Sequence, residues 1–133
     1  MENSIKKQFK LYVNDTGLLC AMYGFETKKA ILNNTIKGKV KGGIYENIIG
    51  ECLVKKGYKL YYKPDDDQEI EFLIENDGEV IPIEVKPVNT SITSLNHFIK
   101  DYHCKTAYKL ASSNIGVADK NNDTSLYNSV HLK

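Results

Sequence analysis

At 133 residues, with 41% hydrophobic and 26% charged side chains, the chain can bury one core but not two, so one site on one scaffold is expected. A net charge of +1 excludes a general attraction for polyanions, leaving any nucleic-acid contact local, and no apolar run approaches the ~20 residues of a membrane span. Three distant cysteines (Cys20, Cys52, Cys104) without a C-x-x-C pair, and lysines at 6, 7 and 10 with no apolar stretch after them, imply reduced thiols and a cytoplasmic protein.

Residues 10–13 read as a strand or an extended lead-in. Asp15 is a good N-cap for a short apolar helix over 16–23, which Gly24 would stop. Residues 25–41 lack clear periodicity and read as a helical turn followed by a loop, with Lys37, Lys39 and Lys41 as a solvated basic cluster among glycines. From 43 to 56 the series Ile44, Ile48, Cys52 and the series Tyr45, Ile49, Leu53 recur at four-residue spacing, which predicts a helix ended by Gly57. The first of these series is expected to pack on a sheet, with Glu46 near the edge of that face.

Residues 58–63 read as a strand and the acidic run 64–67 as a turn. The next stretch is the most informative. Residues 69–75 and 79–86 each alternate apolar and polar, and Asp77 and Gly78 between them favour a two-residue hairpin turn. That turn pairs Asn76 with Glu79, Ile74 with Ile81, Phe72 with Ile83 and Ile70 with Val85. It also sets Glu71 opposite Glu84, with Lys86 two residues further on the same polar face. A one-residue slip would mix the two faces, so the hydrophobic pattern fixes the register. A polar loop over 88–93 then leads to a helix from 94 to about 102 that buries Leu95, Phe98 and Ile99, followed by a strand over 106–111. Tyr127, Val130 and Leu132 can add a last strand. The sum is an α/β fold, a mixed sheet flanked by helices, in one domain spanning 1–133 with its core at about 43–111 and a polar tail over 112–133.

Two carboxylates facing each other across a hairpin repel, and a divalent cation would offset the cost. Mg²⁺ commonly takes one or two carboxylates and fills its octahedron with water or substrate phosphate. Glu71 and Glu84 are the candidate ligands, with the Val85 carbonyl in reach. Lys86 beside them suits positioning or deprotonating a water, or stabilising charge on a phosphate. The plain alternative is a solvated sheet surface on which Lys86 neutralises two acids. His97 and His103, six residues apart, lack metal-pair spacing, and the 65–67 acidic run lacks the spacing of a calcium loop. Tyr58, Tyr61 and Tyr62 read as ordinary sheet residues.

Glu71 followed by Ile83-Glu84-Val85-Lys86 at the end of the next strand resembles the PD-(D/E)XK, or restriction-endonuclease-like, nuclease superfamily. Its signature is an acid on one strand and E-x-K on the next. Glu46, on the preceding helix, looks like the further acid that many members carry there. A second resemblance spans nearly the whole chain. Lys10-Leu11-Tyr12-Val13-Asn14-Asp15-Thr16-Gly17-Leu18-Leu19, the 43–53 helix, Glu69-Ile70-Glu71-Phe72 and Ile81-Pro82-Ile83-Glu84-Val85-Lys86 follow in the order seen in the C-terminal domain of a group of prokaryotic AAA-type ATPases, a domain of unassigned function. The resemblances imply a Mg²⁺ or Mn²⁺ site on Glu46, Glu71 and Glu84, with Glu71, Glu84 and Lys86 catalytic. They imply nucleic acid as ligand and an AAA-type ATPase module as partner, in cis or in trans.

The chain departs from the pattern in two ways. Glu71 stands where Asp is usual, its carboxylate one methylene further out. A G-x-x-x-x-G-K-[ST] loop is absent, so the chain alone should not hydrolyse ATP. The competing expectation is a non-catalytic accessory domain that docks on such an ATPase or another protein.

Overall fold

The computed structural model describes residues 9–63, 69–86, 93–111 and 127–131. The expected acidic turn at 64–67, the loop after Pro87, Leu132 and most of the tail lie outside them.

Residues 9–13 form neither helix nor strand. Asp15 then caps α1 (Thr16–Met22), its Oδ1 accepting the Leu18 amide at 2.9 Å. Gly24, at φ 90°, turns the chain into α2 (Phe25–Leu32), a full helix where the sequence predicts a single turn. None of the residues of α1 or α2 is buried, and Leu18, Met22, Phe25 and Leu32 are exposed.

The third helix, α3 (Gly38–Lys55), starts five residues before the expected position 43. Lys39 and Lys41 therefore sit in its first turns, and Lys37 is its N-cap residue, instead of forming a loop. Glycine inside a helix costs roughly 1 kcal/mol relative to alanine, but here the downstream half of the helix is anchored on the sheet. Gly57, at φ 89°, closes it in a Schellman arrangement: its amide reaches the Val54 carbonyl and the Tyr58 amide the Leu53 carbonyl.

The packing face of α3 agrees with expectation only in part: Ile44 is buried, but Ile48 is only half-buried and Cys52 exposed, and it is Tyr45, Ile49 and Leu53 that face the first core cluster. Gly50 lies against the sheet, where a Cβ would just touch the Phe72 ring at 3.4 Å.

The sheet is mixed, with spatial order β1 (Tyr61–Lys63), β2 (Ile70–Asn76), β3 (Glu79–Lys86), β4 (Ala107–Ala111) and β5 (Tyr127–His131). β1, β2 and β3 are antiparallel; β3, β4 and β5 are parallel. The β3–β4 crossover contains α4 (Thr93–Tyr102), which buries Leu95, Phe98 and Ile99 as its three- and four-residue spacing predicts. The expected last strand forms as β5.

Two clusters make the core. Ile49 joins Phe72, Ile74, Ile81, Ile83, Val85 and Leu110; Leu95, Phe98 and Ile99 join Ile70 and Ala107. Ile70 is thus on the α4 side, not beside Val85 as the simple alternation predicts. The cause is an irregularity in pairing with β1: Tyr61 faces Leu73 and Lys63 faces Ile70, so two steps of β1 span three of β2. Among the described residues no helix is long and apolar enough to cross a membrane.

Candidate active site where the hairpin opens

The β2–β3 turn has Asp77 at φ 53° and Gly78 at φ 75°, the paired positive angles of a type I′ hairpin. The register is the expected one from Asn76↔Glu79 through Ile74↔Ile81 to Phe72↔Ile83. The next positions outward are Glu71 and Glu84. There the ladder gives way to side-chain chemistry: the Val85 amide donates to Glu71 Oε2 at 3.3 Å. Glu71 thereby supplies the acceptor for a β3 amide just beyond the last paired residues of the hairpin.

Lys86 closes the group. Its ammonium stands 3.0 Å from Glu71 Oε1 and 3.2 Å from Glu84 Oε1. This is not a solvated sheet face, because Glu84 is 1% and Glu71 6% exposed. Burial opposes the Lys86 charge, yet the two carboxylates outweigh it and hold its pKa above the ordinary lysine value. Burial pushes the Glu84 carboxyl up, with Lys86 pulling it down and Glu71 adding to the rise. Glu84 Oε2 is buried and finds no hydrogen-bond partner among the described residues.

The parallel register of β3 and β4 sets Lys109 beside Glu84. Lys109 is 5% exposed, and burial lowers its pKa against the pull of Glu84. Sequence reading passes over this residue; its one signal is that it is a lone lysine in an otherwise apolar strand.

A third ammonium enters from the N-terminal segment. Asn47 pins that segment to α3, accepting from the Val13 amide at 2.8 Å and donating to the Val13 carbonyl and Thr16 Oγ1, each at 2.9 Å. Tyr12 lies on Phe72 with ring centroids 5.3 Å apart. So anchored, Lys10 places its Nζ 2.6 Å from Glu69 Oε1 and 3.4 Å from Glu46 Oε2. Burial again opposes the lysine charge, and Glu69 and Glu46 raise its pKa regardless. Glu46 is itself pushed up, first by burial and then by Glu71, with Lys10 opposing. Glu46 therefore does turn to the hairpin side, but into the hold of Lys10. Neither Lys10 nor Glu69 stands out in the sequence as a site residue, because no local pattern links positions 10, 46 and 69.

A cleft of about 230 Å³ adjoins Glu71, bounded by Phe9, Lys10, Tyr12, Tyr61 and Tyr62. His97 and His103 are exposed and stand apart from these residues. Among the described residues no three His, Cys, Asp or Glu side chains gather as a metal-ligand set.

A family model described as Domain of unknown function (DUF4143) matches residues 41–132. The chain belongs to this family. No curated protein and no solved structure matches it. The DUF4143 match contains Glu46, Glu69, Glu71, Glu84, Lys86 and Lys109, whereas Lys10 precedes it.

The residues present fit one cation on a carboxylate pair. Glu71 and Glu84 share the Lys86 ammonium, and Glu84 Oε2, buried, has no hydrogen-bond partner among the described residues, an atom that costs free energy until something satisfies it. Mg²⁺ asks for no more than one or two carboxylates from a protein.

Proposed function

We propose that this DUF4143 chain is a metal-dependent, nuclease-like domain that acts on or binds nucleic acid in association with an AAA-type ATPase. The observation that carries the reading is Lys86 bridging Glu71 and Glu84 where β2 and β3 part, with Glu84 Oε2 lacking a hydrogen-bond partner among the described residues. Glu71 and Glu84 would hold Mg²⁺ or Mn²⁺, with Glu46 as a further acid on α3. When bound, such an ion polarises a phosphate oxygen and lowers the pKa of a water.

The chain's own residues divide the remaining work. Lys86, its pKa raised, is cationic at neutral pH and suits stabilising negative charge on a phosphate better than removing a proton. Tyr61 and Phe9, exposed at the rim of the cleft, offer ring faces on which bases can stack. The Glu71 carboxylate, tied to Val85, stays oriented toward Lys86.

Purified protein with Mg²⁺ or Mn²⁺ is expected to cut supercoiled plasmid or single-stranded DNA, with cleavage lost in Lys86→Ala and in EDTA. No cleavage with either metal would count against catalysis. A second reading, a non-catalytic module that docks on an ATPase or other protein, is favoured by Phe9, Leu11, Met22, Phe25 and Leu32, large apolar side chains exposed in the N-terminal quarter. Co-purification with an ATPase from the same cell, without cleavage, is its expected signature.

A further inference from the structure

A groove of about 550 Å³ runs between α4 and strands β1 to β3, and neither Glu71, Glu84 nor Lys86 lines it. That volume falls within the ~300–1,000 Å³ range of ligand sites. Leu73 and Val80 give the groove apolar walls, and Phe98 and Tyr102 line it as a pair of stacked rings with centroids 4.4 Å apart. The Lys63 ammonium stands 5.9 Å from the Phe98 ring centre and 6.0 Å from that of Tyr102. Lys105, also at the groove, is ion-paired with Glu79. Two ammonium groups thus stand against one carboxylate there, and the balance is positive.

Strand β1 joins this groove to the cleft beside Glu71. Tyr62 lines both, Tyr61 lines the cleft, and Lys63 lines the groove. Pairing with β2 is irregular between Tyr61 and Lys63, which lets so short a strand serve both. Among the described residues β1 is also the outermost strand on its side of the sheet. Exposed rings therefore flank one sheet edge, Tyr61 at 56% and Tyr102 at 59% exposure, with the Lys63 ammonium beside the second.

We propose that the ligand of this domain is single-stranded nucleic acid laid across β1, with one base stacked on Tyr61 in the cleft, another on Tyr102 in the groove, and a backbone phosphate against Lys63. This rests on the nuclease-like reading above and names its substrate class. A duplex keeps its base faces inside its own stack, so rings standing out from a protein surface reach only unpaired bases. Stacking of this kind accepts any base, and ammonium groups among the rings meet the phosphates. The positive balance of the groove selects a polyanion over an uncharged apolar ligand.

The test is fluorescence anisotropy of a short labelled oligo(dT) and of a duplex of equal length, on the full chain in EDTA so that nothing is cut. Oligo(dT) is expected to bind about tenfold tighter than duplex or better. Tyr61→Ala and Tyr102→Ala should each weaken oligo(dT) binding about tenfold, and Tyr102→Phe, which keeps the ring, should stay near wild type. Lys63→Gln should lower the salt slope of oligo(dT) binding by about 0.7. Both tyrosines are more than half exposed, so the alanine variants should keep the fold. Ultraviolet crosslinking needs no variant: an oligonucleotide carrying bromodeoxyuridine should attach to wild type at Tyr61 and Tyr102, read by peptide mapping. Duplex bound as tightly as oligo(dT), wild-type affinity in either alanine variant, or adducts confined to other residues overturns the proposal. Metal-dependent cleavage that persists in any of those cases leaves the nuclease-like reading standing, whereas no binding of either nucleic acid and no cleavage overturns both.

Discussion

The Val85 amide and the Glu71 carboxylate meet at 3.3 Å, just beyond the last paired residues of the hairpin, Phe72 and Ile83, so a side chain supplies the acceptor for a β3 amide. The same carboxylate accepts from Lys86 at 3.0 Å. Glu71→Ala would strand a buried amide and leave Lys86 to Glu84 alone, at a cost of about 3 kcal/mol in unfolding free energy. Glu71→Gln keeps an oxygen for Val85 and should cost roughly half as much. Urea denaturation of both variants checks this. Equal losses would show that the amide bond contributes nothing and that only the charge matters.

The fold is legible wherever a local period carries it. Ile74, Ile81, Phe72 and Ile83 alternate cleanly around Asp77 and Gly78, so register follows from pattern and turn chemistry together. Leu95, Phe98 and Ile99 carry α4 in the same way. What the sequence hides depends on distant partners. The face of α3 departs from its apolar spacing because Asn47, a polar residue, is buried to hold Val13, and because Gly50 sits against Phe72. Its start escapes notice because Gly38 and the flanking lysines are poor local signals for a helix end fixed by tertiary packing. The turn of Ile70 to the other core cluster comes from β1, which the sequence of β2 does not contain. Part of the candidate site is therefore readable: Glu71, Glu84 and Lys86 share a hairpin, and Glu46 is marked by the resemblance. Lys10, Glu69 and Lys109 join them only through three-dimensional proximity.

The Glu84 carboxyl has a folded-state pKa above its ordinary value, chiefly through burial. The sign follows from linkage: a raised pKa means the folded state holds the proton more tightly than the unfolded state. The associated stability is full below the ordinary glutamate pKa of 4.5 and fades as pH rises through the folded value. Glu84→Gln has no such titration. Wild type should therefore gain on Glu84→Gln as pH falls from neutral, by about 1.4 kcal/mol for each pH unit between the folded and the ordinary pKa, and then level off. Urea midpoints of the two proteins from pH 8 to about pH 4 would show a constant difference if Glu84 did not titrate abnormally.

Asn47 makes three hydrogen bonds from a buried position, two to the Val13 backbone and one to Thr16. Asn47→Ala should destabilise the protein by about 3 kcal/mol, near 1 kcal/mol for each bond. It should also loosen the segment that carries Lys10, so the acylation rate of Lys10 without metal should rise in parallel. A stability loss with no change at Lys10 would mean that Tyr12 on Phe72, not Asn47, holds that segment in place.

Glu51 provides the opposite pH signature to Glu84, further along the helix that carries Glu46. Its carboxylate accepts from Lys55 at 2.5 Å and from both the Thr16 amide at 3.1 Å and the Thr16 hydroxyl at 2.8 Å, tying the start of α1 to α3. The Lys55 bond first, then the Thr16 bonds, pull its pKa down to about 2. A depressed pKa favours the charged form in the folded state, so its stabilisation is complete above the ordinary value of 4.5 and disappears as pH falls toward about 2. Glu51→Gln should accordingly be less stable than wild type at neutral pH, with the gap closing across that acid window. Amide exchange of Thr16 offers the local readout: its protection should drop in Glu51→Gln at neutral pH and converge with wild type in acid. Protection that is equal in the two proteins at every pH would mean that Asp15 alone fixes the start of α1.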